Sequence, residues 1–270
     1  MAVRMTVLAS GSKGNCTVLS SSTASILVDA GLSCRETLKR MKIAGEDPDK
    51  LKAIVISHEH IDHVLGLRVL ARKLKVPVYI TEATYQSWRK ATKDPEGKPA
   101  KLDRLEHFHA GRSCFSIADI TVKSFTTAHD AIDSCGFTFT ADGVKIGIVT
   151  DLGEMTNNVR DALRRCDGLM IESNHDIEML RNGPYPWMVK QRVMSRVGHL
   201  SNTTLAEFLQ KDYDGHAAFL VLAHLSEHNN HPEIALKAAK DALDLQGRLF
   251  QSCGVTVAQQ DKPLQPLCLG

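Results

Sequence analysis

The sequence predicts an α/β fold, a four-layer αββα sandwich in a single domain, in which two β-sheets pack together and helices cover their outer faces. Three observations lead to this prediction. Short apolar runs of strand length recur along the 270 residues and cluster in both halves of the chain. Stretches with helical periodicity lie between these runs. This alternation fits two stacked sheets with helices outside better than one doubly wound sheet.

The first half of the chain combines short strands with two amphipathic helices. The run at 53–56 is apolar throughout, which is typical of a strand buried on both faces. Apolar residues recur at helical spacing over 64–75, and a second helix is predicted over 82–91. A loop rich in Lys, Pro and Gly follows at 93–104. The strands of this half are predicted at 6–8, 17–19, 25–28, 53–56 and 76–80.

The middle of the chain is rich in strands, and helices return towards its end. Asp142-Gly143 separates two apolar runs and predicts a hairpin turn, because this pair tolerates positive φ. Asn157 or Asn158 is expected to cap the helix that follows, and Ser201 or Asn202 a later one. The strands are predicted at 113–117, 120–125, 136–140, 144–149, 169–171, 219–223 and 249–257. The helices are predicted at 159–166, 186–197, 203–210 and 232–243.

The composition is that of a globular protein without a membrane anchor. The formal net charge is only +2, so charge alone argues neither for nor against a nucleic-acid partner. No window approaches the ~20 consecutive apolar residues that a membrane span needs. The first residues are expected to form a strand, not a signal peptide. The seven cysteines form no Cys-x-x-Cys pair, which predicts reduced thiols and a cytoplasmic location.

Four potential metal ligands fall within six residues, and they carry the strongest functional signal of the chain. His58, His60, Asp62 and His63 follow a buried strand and precede a helix. Imidazole and carboxylate groups suit zinc and related divalent ions. A single histidine is most often an ordinary polar residue, but three histidines and an aspartate at this spacing predict a metal site.

The pattern His-x-His-x-Asp-His resembles the signature of the metallo-β-lactamase fold superfamily. Later segments match further motifs of that superfamily in the same order, at Phe125–Asp130, Ile148–Gly153 and Leu222–Ser226. The resemblance implies two metal ions. By it, one ion is held by His58, His60 and His129. The other is held by Asp62, His63 and His224, and Asp151 bridges the two.

Two further segments resemble RNase Z-type phosphodiesterases of this superfamily. Glu172 ends a predicted strand, and a Gly-His-x-Ser segment carries His199. The resemblance implies that His199 is a proton donor and that Glu172 orients it. A departing alkoxide needs a general acid, and a carboxylate keeps an imidazole protonated near neutral pH. Asp62 is expected to help position or deprotonate the attacking water.

The resemblance is more specific still to the YycJ (WalJ) branch of the superfamily. It rests on the segments at 8–16, 172–176, 198–202 and 224–230, which span the chain. Members of this branch are associated with 5′-to-3′ exonuclease action on DNA. The interval from Asp151 to His199 is too short for the inserted domain of the β-CASP nucleases. We therefore expect one hydrolase domain over residues 1–270.

Substrate contacts are expected from two surfaces beside the metals. Lys190 and Arg192 belong to a basic helix that flanks the expected acid, and phosphate contacts dominate nucleic-acid affinity. A solvated helix face explains either residue equally well. The Gly-rich loop with Ser12 and Asn15 could donate backbone N–H groups to a phosphate.

Two other functions remain open at the level of the sequence. A small-molecule hydrolase of the same fold would cleave a thioester, lactone or β-lactam and would need the acid pair less. A metal-stabilised binding protein would bind DNA without cutting it. Zinc or manganese is expected in the site, and iron is possible because carboxylates accompany the histidines. The oligomeric state is not predicted.

Overall fold

A computed structural model describes residues 3–246 and 253–270 of the chain. Within these residues the chain forms two seven-stranded sheets. The first sheet contains β1 (Val3–Ala9), β2 (Cys16–Ser20), β3 (Ser25–Val28), β4 (Leu51–Val55), β5 (Val78–Thr81) and β6 (Leu105–Phe108). The second contains β7 (Cys114–Ile117), β8 (Ile120–Thr126), β9 (Cys135–Ala141), β10 (Val144–Val149), β11 (Gly168–Glu172), β12 (Phe219–Ala223) and β13 (Gly254–Val257). The last strand, β14 (Leu267–Leu269), returns to the first sheet and pairs with β1.

Helices cover both outer faces of the sheet pair. Those of the first half are α1 (Cys34–Ile43), α2 (Ile61–Val64), α3 (Leu67–Leu74) and α4 (Glu82–Ala91). Those of the second half are α5 (Asn157–Leu163), α6 (Ile177–Asn182), α7 (Trp187–Val193), α8 (Asn202–Lys211) and α9 (Pro232–Leu245). One buried apolar cluster lies between the sheets, and each sheet packs a second cluster against its own helices. The predicted four-layer αββα sandwich is confirmed.

Each sheet changes from antiparallel to parallel pairing along its width. In the first sheet β1, β2 and β3 pair antiparallel, whereas β3, β4, β5 and β6 pair parallel. In the second sheet β7 to β10 pair antiparallel and β10 to β13 pair parallel. In open α/β sheets, binding sites form at the carboxyl ends of parallel strands. The residues after β3, β4, β10, β11 and β12 are therefore brought to one region.

The predicted strands agree with the structure, but three details of the helices differ. The helix predicted over 64–75 is two helices, α2 and α3, because the chain bends at Gly66. A Cβ atom there would lie 2.0 Å from the Leu32 carbonyl oxygen. Thr156, not Asn157 or Asn158, caps α5, since its side chain accepts the N–H of Val159. The helix predicted over 186–197 is shorter and ends at Val193.

Several elements have no counterpart in the sequence prediction. They are α1, α6, β6 and β14. The last two are edge strands with partly exposed residues, so their hydrophobic pattern is weak. The strand predicted over 249–257 is confirmed over β13, and its residues 249–252 lie outside the described residues. The hairpin turn is confirmed, with φ of +49° at Asp142 and +78° at Gly143. In the described part of the chain, every helix is too short or too polar to cross a membrane.

Candidate metal centre

The histidine-rich segment forms a tight turn between β4 and α2. β4 ends at Val55, and α2 begins at Ile61, directly after His60. The turn carries side chains from the strand end and from the first turn of the helix into the same space. His58 and His63 are both fully buried there. The predicted ligands of this segment therefore share one small volume at the carboxyl end of the first sheet.

Gly31 and Asn15 hold this turn from behind. The Asn15 backbone N–H donates to the Asp62 carbonyl oxygen at 2.7 Å. A Cβ atom on Gly31 would lie 1.7 Å from the same oxygen, so only glycine fits at this position. The Asn15 side-chain amide lies 3.1 Å from Asp62 Oδ2 and 3.0 Å from His63 Nε2. The loop that contains Asn15 thus supports the metal-binding turn.

Three histidine rings form one half of the site. The ligand atoms of His58, His60 and His129 lie within 4.8 Å of one another. His129 follows β8, and its Nδ1 atom lies 3.0 Å from the Gly198 carbonyl oxygen, a contact that orients the ring. The buried Nε2 atom of His58 has no hydrogen-bond partner among the described residues. A buried polar atom of this kind is costly unless a ligand completes it.

Asp62, His63 and His224 form the other half. Their ligand atoms also lie within 4.8 Å of one another, and His224 Nε2 is 3.3 Å from Asp62 Oδ2. The other ring nitrogen of each histidine contacts a carboxylate. His63 Nδ1 lies 2.8 Å from Asp29 Oδ2, and His224 Nδ1 lies 3.0 Å from Glu172 Oε1. Such carboxylate contacts fix the tautomer and the orientation of a metal-binding histidine.

Asp151 lies between the two halves. Its carboxylate oxygens are 3.1 Å from His63 Nε2, 3.6 Å from His224 Nε2 and 3.7 Å from His129 Nε2. One carboxylate thus lies next to histidines of both groups. The structure brings together all seven residues predicted as ligands.

Three residues near the strand ends adopt left-handed backbone conformations. φ is +59° at Asp29, +58° at Asp151 and +54° at His224, just after β3, β10 and β12. This region is unfavourable for residues other than glycine, and such outliers concentrate at functional sites. Here the sharp change of direction at each strand end points the side chain into the cluster.

The electrostatics of the cluster favour bound positive charge. Burial alone would raise the pKa of Asp151, but the charges of His224 and His63 hold it well below the usual carboxyl value. Burial would lower the pKa of His63, yet the carboxylates of Asp151, Asp29 and Asp62 raise it well above its usual value. Burial lowers the pKa of His58, with the neighbouring His63 acting in the same direction. Metal ions compete with protons for ligands of this kind.

Glu172 and His199 form a hydrogen-bonded pair at the edge of the cluster. His199 Nδ1 lies 2.8 Å from Glu172 Oε1. The two residues belong to different segments of the chain, and the fold brings them together as a proton donor and its orienting partner must be. The other oxygen, Oε2, accepts the backbone N–H groups of Leu152 at 3.0 Å and Leu200 at 3.2 Å. Burial would raise the pKa of Glu172, but His199 outweighs it and lowers that pKa to about 2. Burial lowers and Glu172 raises the pKa of His199, with a net increase.

The predicted substrate-binding residues have different surroundings. Ser12 is exposed on the loop after β1. Asn15 donates its backbone N–H to Asp62 within the turn described above, and its role in substrate binding stays a prediction. Lys190 Nζ donates to the Arg181 carbonyl oxygen at 2.7 Å. Arg192 forms an ion pair with Asp130, the neighbour of His129.

Residues that support the ligands were not predicted. Asp29 accepts the backbone N–H of Ser57 at 2.8 Å besides contacting His63. Ser57 Oγ in turn lies 3.0 Å from His58 Nδ1. Ser10 Oγ accepts the N–H of His224 at 2.8 Å. A signal was present for Asp29, which ends a predicted strand as the ligand-bearing segments do.

The donor set fits divalent metal ions. It combines buried imidazoles with ionised carboxylates, a ligand chemistry shared by zinc, manganese and iron sites. The unpartnered Nε2 of His58 points to the same conclusion. Residues His58, His60, His129, Asp62, His63, His224 and Asp151 would hold the metal.

Comparison with known proteins identifies relatives over most of the chain. The model of a family described as the beta-lactamase superfamily domain matches residues 24–225. Exodeoxyribonuclease WalJ of Streptococcus pneumoniae strain R6 is 36% identical over 234 residues, or 86% of this chain and 85% of WalJ. Exodeoxyribonuclease YycJ of Bacillus anthracis is 34% identical over 247 residues, or 92% of this chain and 91% of YycJ.

A solved structure agrees with the fold. The metallo-beta-lactamase fold protein YhfI of Bacillus subtilis superposes with a TM-score of 0.66 over 97% of this chain and 99% of YhfI. The sequence identity is 19%, so the similarity concerns the fold alone. With the family match and the relatives at 34–36% identity, it shows that the chain belongs to the beta-lactamase superfamily and has the metallo-β-lactamase fold.

Proposed function

We propose that this protein is a metal-dependent phosphodiesterase, a 5′-to-3′ DNA exonuclease with two divalent ions in its site. The observation that carries the proposal is the Glu172–His199 pair beside the metal ligands. Cleavage of a phosphodiester expels an alkoxide, and this leaving group needs a proton donor. The leaving groups of many activated esters do not need one. The names of the relatives WalJ and YycJ support DNA as the substrate.

The chemistry divides between the metals and the side chains around them. Two divalent ions, zinc or manganese with iron as an alternative, would polarise the phosphate and lower the pKa of the attacking water. Asp62 takes up a proton of that water as its oxygen attacks phosphorus. The P–O3′ bond breaks with its electron pair on O3′, and His199 gives that oxygen a proton. Glu172 keeps His199 oriented and charged.

The position of His199 suits this role. Its side chain keeps 20% of its surface exposed, whereas that of Glu172 is fully buried. The ring stacks on that of His224 with 5.2 Å between centroids. One face of His199 is therefore held by the metal cluster while the ring reaches the solvent side, where a substrate must approach.

Helix α7 offers a surface for the DNA strand. None of its residues, 187–193, is buried. Trp187 and Met188 keep 62% and 75% of their surface exposed, and Lys190 and Arg192 lie on the same helix. Exposed aromatic and basic side chains are how proteins bind single strands, through base stacking and phosphate contacts. Arg192 pairs with Asp130, which connects this helix to the His129 side of the site.

The catalytic unit in this proposal spans residues 1–270 without a β-CASP insertion. Between Asp151 and His199 the described chain forms only β11 and the helices α5, α6 and α7. The seven cysteines are free thiols, which fits a cytoplasmic enzyme.

The test compares a phosphodiester with an activated ester in the presence of Mn²⁺, Zn²⁺ or Mg²⁺. We expect the protein to cleave DNA, and His199→Ala to reduce this cleavage about 10²- to 10⁴-fold, the usual contribution of a general acid. Hydrolysis of a thioester, lactone or β-lactam without any cleavage of DNA would support the small-molecule alternative. DNA binding without hydrolysis under every metal would support the binding-protein alternative.

A further inference from the structure

A depression next to the metal site has no role in the mechanism above. It has a volume of about 500 Å³. Two loops contribute most of its wall, one after β1 with Ser12 and Lys13, the other after β12 with Glu227 and His228. Tyr185 and Gln260 also line it. We call this depression the terminal cavity.

The terminal cavity adjoins the Asp62–His63–His224 half of the cluster. Ser10 lines it, and Ser10 Oγ accepts the backbone N–H of His224 at 2.8 Å. Leu225 and Ser226, which also line it, directly follow His224 in the chain. The cavity therefore lies directly beside the Asp62–His63–His224 half of the cluster.

Lys13 is a cation in the cavity wall, and a single carboxylate pairs with it. Lys13 Nζ lies 2.7 Å from Glu227 Oε2, and both side chains are well exposed, at 65% and 61%. Gln260 fixes the loop, since its Oε1 accepts the Lys13 N–H at 2.8 Å and its Nε2 donates to the Gly14 carbonyl at 3.0 Å. Ion pairs this exposed are weak, so a phosphate can take Lys13 from Glu227.

The cavity wall also carries two rings. Tyr185 and His228 contact each other edge to face, with centroids 5.9 Å apart and planes at 83°. Rings in the wall of a cavity provide surfaces on which a nucleobase can stack. The cavity thus combines a site for an anion with a site for a flat apolar group, at a volume in the range of small-molecule sites.

We propose that the terminal cavity receives the 5′-terminal nucleotide of the strand. In this arrangement Lys13 leaves Glu227 to bind the 5′-phosphate, and the base packs on Tyr185 and His228. The idea rests on the proposed exonuclease function. It accounts for cutting one nucleotide from the end, because the cavity would hold the terminal nucleotide beside the metal site. Glu227 acts as a competitor that occupies Lys13 when no phosphate is present.

Lys13 and Glu227 allow a test in which two variants have opposite effects. We expect Lys13→Met to weaken binding of a deoxynucleoside 5′-monophosphate to the metal-loaded protein about fivefold, and Glu227→Gln to strengthen it by a similar factor. Calorimetry with thymidine 5′-monophosphate measures both, with thymidine as the uncharged control. A purely structural ion pair would give effects of the same sign in both variants.

The same variants are then compared on DNA with a 5′-phosphate and with a 5′-hydroxyl. The ratio of kcat/KM for the two ends should fall in Lys13→Met and rise in Glu227→Gln. Lys98 and Glu96 form a matched exposed pair away from the cavity, at 73% and 71% exposure. Lys98→Met and Glu96→Gln should leave the ratio unchanged.

The outcomes separate the two proposals. If the nucleotide binds equally to all variants, or if both cavity variants weaken it, the terminal cavity is not its site. Absence of DNA cleavage by the unmodified protein would instead contradict the exonuclease proposal, and the binding measurement would still decide the role of the cavity.

Discussion

Glu172 contacts two histidines with different tasks. Its Oε1 atom lies 2.8 Å from His199 Nδ1, the proposed acid, and 3.0 Å from His224 Nδ1, a predicted metal ligand. His199 keeps the pKa of this fully buried carboxylate low, and two backbone N–H groups fix its other oxygen, Oε2. One side chain thus couples the metal site to the proton donor.

This coupling predicts the pH dependence of catalysis. Because Glu172 raises the pKa of His199, the acid stays protonated at higher pH, and activity is lost as pH rises through that raised value. In Glu172→Gln the charge is gone, so the loss should begin at lower pH. The measurement is the pH profile of kcat/KM on DNA, together with metal content.

His199→Asn is the matched variant for this experiment. This substitution removes the acid but leaves the contact between Glu172 and His224, so the variant should bind metal normally. The fall of kcat/KM at high pH, which we call the alkaline limb of the profile, should disappear. An unchanged alkaline limb in both variants would contradict the assignment of His199 as the acid.

Asp29 is a second residue whose effect can be measured directly. It holds His63 and Ser57, and through Ser57 it reaches His58. Loss of such a supporting carboxylate usually weakens metal binding about 10- to 100-fold. We expect this for Asp29→Ala in a competition titration with a chelator. Asp241→Ala, on the exposed face of α9, is the control and should bind metal as the unmodified protein does.

At the scale of elements, α7 lies beside the site without belonging to the core. Tyr185, two residues before it, lines the terminal cavity, and Arg192 near its end pairs with Asp130. The helix therefore extends from the cavity towards the His129 half of the cluster. Its exposed Trp187 and Met188 have no packing role that would explain them.

Trp187→Ala should weaken binding of single-stranded DNA by ~1–3 kcal/mol, the usual effect of losing one stacked base. Fluorescence anisotropy with a labelled oligonucleotide measures it. Ile43, on α1 and 63% exposed, provides the comparison, and Ile43→Ala should not change the affinity. Equal affinities of the unmodified protein and both variants would show that α7 does not contact the DNA strand.

The sequence was sufficient for the buried strands, but not for the edge strands β6 and β14, and it located the candidate ligands that the structure brings together. Strands such as β12, apolar throughout, are recognisable without tertiary information, and the ligand motifs follow them directly. The contact between Glu172 and His224 was not predictable, because it depends on how two segments pack. The contact between Asn15 and the metal-binding turn was not predictable for the same reason. Its loop is Gly-rich, as phosphate loops are, but Gly31 brings the Asp62 backbone against it.

At the scale of the whole molecule, the two sheets divide the site between them. The first sheet supplies the turn after β4, and the second supplies His129, Asp151, Glu172 and His224. Packing of the sheets through the central apolar cluster therefore assembles the metal site. Folding and metal binding are linked in such an arrangement, so removal of the metals should lower the stability of the fold.

The most direct test of the proposed function is a time course of DNA cleavage with the label at one end or the other. Metal-loaded protein is incubated with single- and double-stranded DNA that carries the label at its 5′ or its 3′ end. We predict that a 5′ label appears at once as a mononucleotide, while a 3′ label passes through progressively shorter strands. Early release of a 3′-labelled mononucleotide, or intact DNA with every metal, would contradict the account.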